Sequence, residues 1–431
     1  MKAAISTTKI WADCYGMSRG SKIAFHVGIF LLAFLVLFSR RPDAILNPQF
    51  YAEDGTYWYV NAYQSGFHCL LMPNGGYLNT LSRLIGLFAL VVPFAWAPLV
   101  MNLGALAVHI LPVNIFLSSR FNAIPIETRL LGCLIYLGAP NSFEIYANTT
   151  NIQWHLALAG LLVLLARGET GRAWRILDFT ILMVSVLDGP LGILLIPVTA
   201  VLCWKRKDKR SVVALAALVP GAILQTLIIL FSGSRPASTN GATIERLTGI
   251  LGGQVFLSSI LGLRTFIQLY FAHVHFLFLI QIVALVVGLS ILLYAVLYGP
   301  LELKLFLLYA AITLSVALIR PYAILRGNYE QWQLMQTPGI TNRYWFFPML
   351  AFLASLIWMV SGSIHTRKAA RYTALAVLAL LPIGVYRDWH YRPFMDLGFR
   401  EFAADFERAA PGTRITIPIN PVNWEMQFTK R

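Results

Sequence analysis

Charge is scarce in this chain, and acidic charge most of all: 19 Asp and Glu stand against 34 Lys and Arg in 431 residues, and the two signs together make up 12% of the sequence. A soluble domain carries roughly 25% charge, so a chain that is 58% apolar at this charge density is excluded from an ordinary water-exposed fold. Cysteine is sparse too. Cys14, Cys69, Cys133 and Cys203 stand singly, without the spacing of a disulfide framework or a zinc site. There is no repeat of fixed period, no low-complexity tract and no glycine-rich phosphate loop of either usual pattern, which argues against a nucleotide-driven pump or a nucleotide-sugar enzyme. The net charge of +15 does not indicate nucleic acid, because the basic residues sit in short loops between apolar runs, the positive-inside pattern of a membrane protein.

Apolar runs are what the sequence has in abundance. Nine lie near residues 23–39, 96–118, 129–140, 152–166, 212–231, 276–298, 303–319, 344–361 and 372–386, and a bilayer crossing needs roughly 20 such residues, fewer for a helix buried among others. The stretch Ile176 to Trp204 has basic clusters on both flanks, so it is read as two short helices broken at Asp188-Gly189-Pro190. The expectation is an all-α, polytopic bundle of about 11 spans, its N-terminus cytoplasmic behind an uncleaved first span. Parity makes Leu78 to Val92 an interfacial helix ending at Pro93. Residues 1–386 form the membrane module, with outer segments at 40–95, 141–151, 232–275 and 320–343, and 387–431 form a short outer tail.

Function is expected on the outer side, since the cytoplasmic loops are short. The first outer loop contains Phe50-Tyr51-Ala52-Glu53-Asp54-Gly55, then Tyr57, Trp58 and Tyr59, and later Tyr77. One reading makes Asp54 the cap of a helix starting at Thr56. The other makes Glu53 or Asp54 a general base that deprotonates an attacking sugar hydroxyl. When the leaving group is a phosphate it departs unprotonated, so one carboxylate suffices where a hydrolase needs two. A cation should then hold the phosphate, and arginine suits this because its planar fork binds oxygens in pairs. The outer candidates are Arg343, Arg326, Arg320, Arg246 and Arg235, of which Arg343 heads a span beside Tyr344; an ordinary interfacial anchor is the alternative there. The second outer loop supplies Glu144, Asn148, Asn151, Gln153 and Trp154, a mixture of amides and aromatics suited to sugars. Asp188 is read as a turn cap, His155 as a packed residue, and His273 with His275 as too few ligands for a metal.

Taken together, Ala52-Glu53-Asp54-Gly55, the second-loop amides and Arg343-Tyr344 ahead of Pro348 resemble the GT-C superfamily of integral membrane glycosyltransferases. The likeness extends to the bacterial members that modify O-antigen, including the serotype-converting glucosyltransferases; Ile417-Pro418-Ile419-Asn420-Pro421 followed by Trp424 fits that subgroup. This resemblance implies a bacterial inner-membrane enzyme with a periplasmic active site. It would move a sugar, a hexose such as glucose, from a polyprenyl-phosphate donor to a glycan acceptor with inversion. A divalent cation is possible and no other cofactor is implied. The tail lacks the large soluble domain of some members. Two rivals stand beside this reading: a transporter or flippase of a lipid-linked glycan, and an O-antigen polymerase or ligase.

Overall fold

The structure, a computed structural model, describes residues 19–167, 171–232, 239–272, 275–321, 329–361 and 367–431. Arg235, His273 and Arg326 lie outside the described residues. In chain order the principal helices are α1 (Arg19–Arg40), α2 (Thr80–Ala89), α3 (Ala97–Phe116), α4 (Ile126–Gly138), α5 (Ile152–Leu165), α6 (Arg172–Leu187), α7 (Leu195–Arg206), α8 (Lys209–Phe231), α9 (Leu263–Phe271), α10 (Leu277–Tyr298), α11 (Leu301–Ile319), α12 (Phe346–Val360), α13 (Lys368–Leu378, continued by Leu381–Asp388) and α14 (Phe399–Arg408).

Seven of them are long and apolar enough to cross a membrane once their flanking turns are included: α1, α3, α8, α10, α11, α12 and α13. Helices α4 to α7 coincide with the four other expected spans but have 12 to 16 residues each. At 1.5 Å per residue they reach roughly 18–24 Å, short of a hydrocarbon core about 30 Å thick. Helix α2 occupies the expected interfacial segment and stops ahead of Pro93. The chain is therefore predominantly helical with the character of a membrane protein.

At the end of the bundle away from the first loop, arginines serve the structure. Arg120 holds Asp178 through two hydrogen bonds of 2.7 and 2.8 Å, with Arg210 as a third member. Arg206 and Arg210 also donate to the carbonyls of Val163, Leu164, Leu165 and Ala166. These are the exposed acceptors at the C-terminus of α5, where the helix dipole favours positive charge.

The tail is a folded unit. In α14 the apolar residues Phe399, Phe402, Ala403 and Phe406 recur at helical spacing, and Phe399, Ala403 and Phe406 are buried. Strands β1 (Arg414–Ile419) and β2 (Trp424–Thr429) form an antiparallel hairpin pairing Ile417 with Met426 and Ile415 with Phe428, so one apolar face alternates with one polar face. That face packs with Phe50, Trp58, Tyr59 and Phe94 of the first loop. The all-α expectation thus gains one two-stranded sheet, which a six-residue alternation at the chain end signals only weakly.

Candidate active site at the first and second loops

The tail sets the backbone of the acidic motif. Ala52 donates its N–H to the Asn420 carbonyl at 2.5 Å, and Asn420 donates back to the Phe50 carbonyl at 3.2 Å. Ala52 is held at φ +46°, in a region that non-glycine residues seldom occupy. From Asp54 to Tyr59 the chain then makes a π-helical turn, with Asp54, Trp58 and Tyr59 buried. This turn lies directly on α2: a Cβ at Gly86 would sit 2.7 Å from the Trp58 carbonyl oxygen. We expect Gly86→Ala to push the two apart and destabilise the protein by about 1–3 kcal/mol, measurable as a lower melting temperature in detergent.

The two adjacent carboxylates have different environments. Asp54 is 1% exposed and does not cap its own turn. It accepts from the Thr149 N–H (3.0 Å), the Thr150 N–H (2.7 Å) and both threonine hydroxyls (2.7 and 2.8 Å). It therefore caps the N-terminus of the helical run leading into α5, whose first N–H groups would otherwise lack acceptors. Burial pushes Asp54 up to about 6 against the pull of these hydrogen bonds. Glu53 is half-buried. Burial raises its pKa too, opposed by its own backbone, the charge of Arg343 and the Thr150 hydroxyl.

Long-range capping recurs at this end of the molecule. The Asp188 carboxylate accepts from the N–H groups of Leu81 (2.8 Å) and Ser82 (3.4 Å) at the start of α2, so the residue read as a turn cap serves a helix over a hundred positions away. Asp388 accepts from Leu263 (2.6 Å), Arg264 (3.1 Å) and Asn141 (2.9 Å), capping α9. Three of the few acidic residues are thereby engaged in holding helix ends.

The second loop brings Glu144 to Arg343. Their side chains form an ion pair, and the Arg343 N–H donates to the same carboxylate at 2.9 Å. The pair is only partly covered, with side-chain exposures of 13% for Glu144 and 25% for Arg343. Arg343 also lies over the Tyr344 ring, 4.9 Å from its centroid. Tyr51 lies near this pair and Glu53: its phenol is raised by burial and feels the charges of Glu144, Arg41, Arg343 and Glu53, and its ring stacks on Phe394 of the tail at 5.2 Å.

The other expected site residues are distributed unevenly. Asn148 and Asn151 donate to the Glu144 carbonyl at 2.8 and 3.0 Å, and Asn148 accepts from the Asn151 N–H, so both hold the loop that presents Glu144. Trp154 is buried edge-on to Tyr344, 6.1 Å between centroids. Gln153 lies against Gly189. Tyr57 is exposed, while Trp58 is buried beneath Arg83. The Tyr77 backbone closes a small turn with Asn74. Arg320 is exposed at the end of α11, and Arg246 pairs with Glu330. Among the described residues no three His, Cys, Asp or Glu side chains come together as a metal site requires.

Sequence reasoning passed over Tyr51, Arg41 and the Thr149-Thr150 clamp. Arg40-Arg41 did carry a signal, since two arginines at the outer end of a first span run against the positive-inside pattern. Arg40 is 1% exposed and donates to the carbonyls of Leu137, Ala139, Asp388 and Trp389 at 2.6 to 3.3 Å. Arg41 lies over Phe394 at 4.4 Å. No protein-family model matches the chain, and no curated protein matches it.

Proposed function

We propose that the chain is a membrane glycosyltransferase that takes a sugar from a polyprenyl-phosphate donor and passes it to a glycan acceptor on the outer face. The observation that carries this reading is the unequal pair of carboxylates. Asp54 is held by four donors, whereas Glu53 is half-buried beside an arginine that is only partly covered. A base must reach its proton within hydrogen-bonding distance, and the less enclosed Glu53 supports that role better than Asp54.

In this reading Glu53 accepts the proton of the acceptor hydroxyl as its oxygen attacks the anomeric carbon, and the bond from that carbon to the phosphate oxygen breaks with inversion. Arg343 meets the charge growing on the departing phosphate. Glu144 orients Arg343, Asp54 fixes the start of α5 against the motif, and Tyr51, Tyr57 and Trp154 border the sugar. Arg320 and Arg326 remain further candidates for the donor phosphate.

The test is transfer of radiolabelled hexose from a panel of synthetic polyprenyl-phosphate donors to lipopolysaccharide or lipid-linked glycan. Absence of transfer from every donor, with the protein folded and in nanodiscs, overturns the proposal. The pH dependence is a separate check. Glu53 must be deprotonated to act, and burial holds its proton more tightly than in water. Transfer should therefore rise with pH through a midpoint above the ordinary glutamate value of about 4.3.

A further inference from the structure

Arg83 is a buried charge that the transfer chemistry leaves unused. It lies on α2 with 0% exposure, and neither its Nε nor its Nη1 has an acceptor. Among the described residues no carboxylate pairs with it; its hydrogen-bond partner is the thiol of Cys69. The guanidinium lies over the Trp58 ring, 5.0 Å from its centroid, and the Trp58 indole N–H is itself buried without an acceptor. Other buried arginines differ in this respect, since Arg40 meets four carbonyls and Arg120 a carboxylate. A charge removed from water with a thiol as its acceptor, and no counter-charge among the described residues, is strongly unfavourable, so this arrangement calls for an anion.

The Cys69 side of Arg83 is covered by one short segment. The short helical segment Gly66–Leu71 turns Cys69 inward at 0% exposure and carries Phe67 and Leu71 outward at 78% and 69%. It begins at Gly66, with φ +54°, and is followed four residues past Leu71 by Gly75 and Gly76 at +60° and +87°, conformations that glycine adopts without penalty. The chain is fixed just outside these ends, by Arg431 on Tyr63 and by Gln225 on Leu78. Between them Met72, just past the segment, donates to the Cys69 carbonyl, Asn79 donates to the Asn74 carbonyl, and Cys69 meets Arg83.

We propose that Arg83 and the Trp58 indole form a phosphate-binding site roofed by Gly66–Leu71. Guanidinium and phosphate match as charge and as paired hydrogen-bonding geometry. The outward Phe67 and Leu71 suit a phosphate that arrives on a lipid, although free phosphate has the same chemistry. This goes beyond the transfer reading, since binding needs neither sugar nor turnover.

The experiment is equilibrium binding to the full-length protein in nanodiscs, with 32P-labelled inorganic phosphate in one arm and polyprenyl phosphate in the other. Alkylation of Cys69 is followed in parallel by peptide mass spectrometry. Saturable binding is expected in at least one arm, weakened about tenfold or more in Arg83→Gln and less in Arg83→Lys. Ligand should slow Cys69 alkylation in the wild type and leave it unchanged in Arg83→Gln. Binding in the lipid arm alone assigns a headgroup; equal binding in both assigns the bare anion. Should Arg83→Gln fail to fold, Arg83→Lys and Trp58→Phe, which keep charge and ring respectively, must each weaken binding. No saturable binding in either arm, or binding that these substitutions leave intact, overturns the site.

Discussion

Glu53→Gln is expected to lower sugar transfer by about 10²–10⁴-fold, the range that a positioned general base contributes, while leaving the melting temperature within a degree or two of the wild type, on the order of a neutral surface substitution. Asp54→Asn should behave in the opposite sense. The amide cannot accept along both edges, so the Thr149 N–H faces an NH₂ group, and a buried donor left without its partner costs about 1–3 kcal/mol. Its transfer should fall together with its folded fraction. Burial raises the pKa of both carboxylates, so both make stability fall as pH rises. Burial places Asp54 near 6 in the folded protein, above the value of about 4 for an unfolded aspartate. The folded state therefore binds the proton more tightly, and this group's contribution to stability is present below about pH 4 and lost as pH rises through 6, a change of roughly 3 kcal/mol. Asp54→Asn should remove the Asp54 share of that slope from the melting curves and leave the Glu53 share. If Asp54→Asn melted like the wild type yet lost all transfer while Glu53→Gln stayed active, the roles assigned to the two carboxylates would have to be exchanged.

Removing the Arg40 guanidinium should have the largest effect on stability. Arg40→Met would leave four carbonyls without their donor at the junction of α1, α4 and α13, and breaking a buried charged network of this kind costs about 3–5 kcal/mol. The same side chain lies 4.4 Å from the centroid of Tyr391, whose N–H donates to the Arg40 carbonyl at 2.9 Å and whose hydroxyl bonds Ser142 at 2.8 Å. Losing it should loosen the tail from the second loop. Arg40→Lys supplies three donors from a single point in place of a fork, so it should recover only part of the loss. Thermal unfolding in detergent measures the first effect, and trypsin cleavage after residue 387 the second. An Arg40→Met protein with wild-type melting and an intact tail would show that the four contacts carry little energy.

Much of the helical framework was legible locally. The runs at 23–39, 212–231, 276–298 and 303–319 correspond to α1, α8, α10 and α11, because hydropathy over some twenty residues is a property of one segment alone. The break at Asp188-Gly189-Pro190 was legible for the same reason: Gly189 takes φ +84° between α6 and α7. The tail hairpin was not, since two six-residue strands become stable only against an apolar partner, here Phe50, Tyr59 and Phe94, and that partner lies more than 300 positions earlier.

The candidate site divides along the same line. Sequence by itself singled out Glu53-Asp54, Glu144 and Arg343, because a carboxylate or a loop arginine is conspicuous in a chain so poor in acidic charge. It could not say which carboxylate is held by four donors and which is less enclosed, nor that Arg343 meets Glu144 and that Arg83 meets no acid among the described residues. Those facts depend on side chains brought together from positions 95 and 199 residues apart. Hydrogen bonds and ion pairs are decided at about 3 Å, and only the tertiary structure sets distances on that scale.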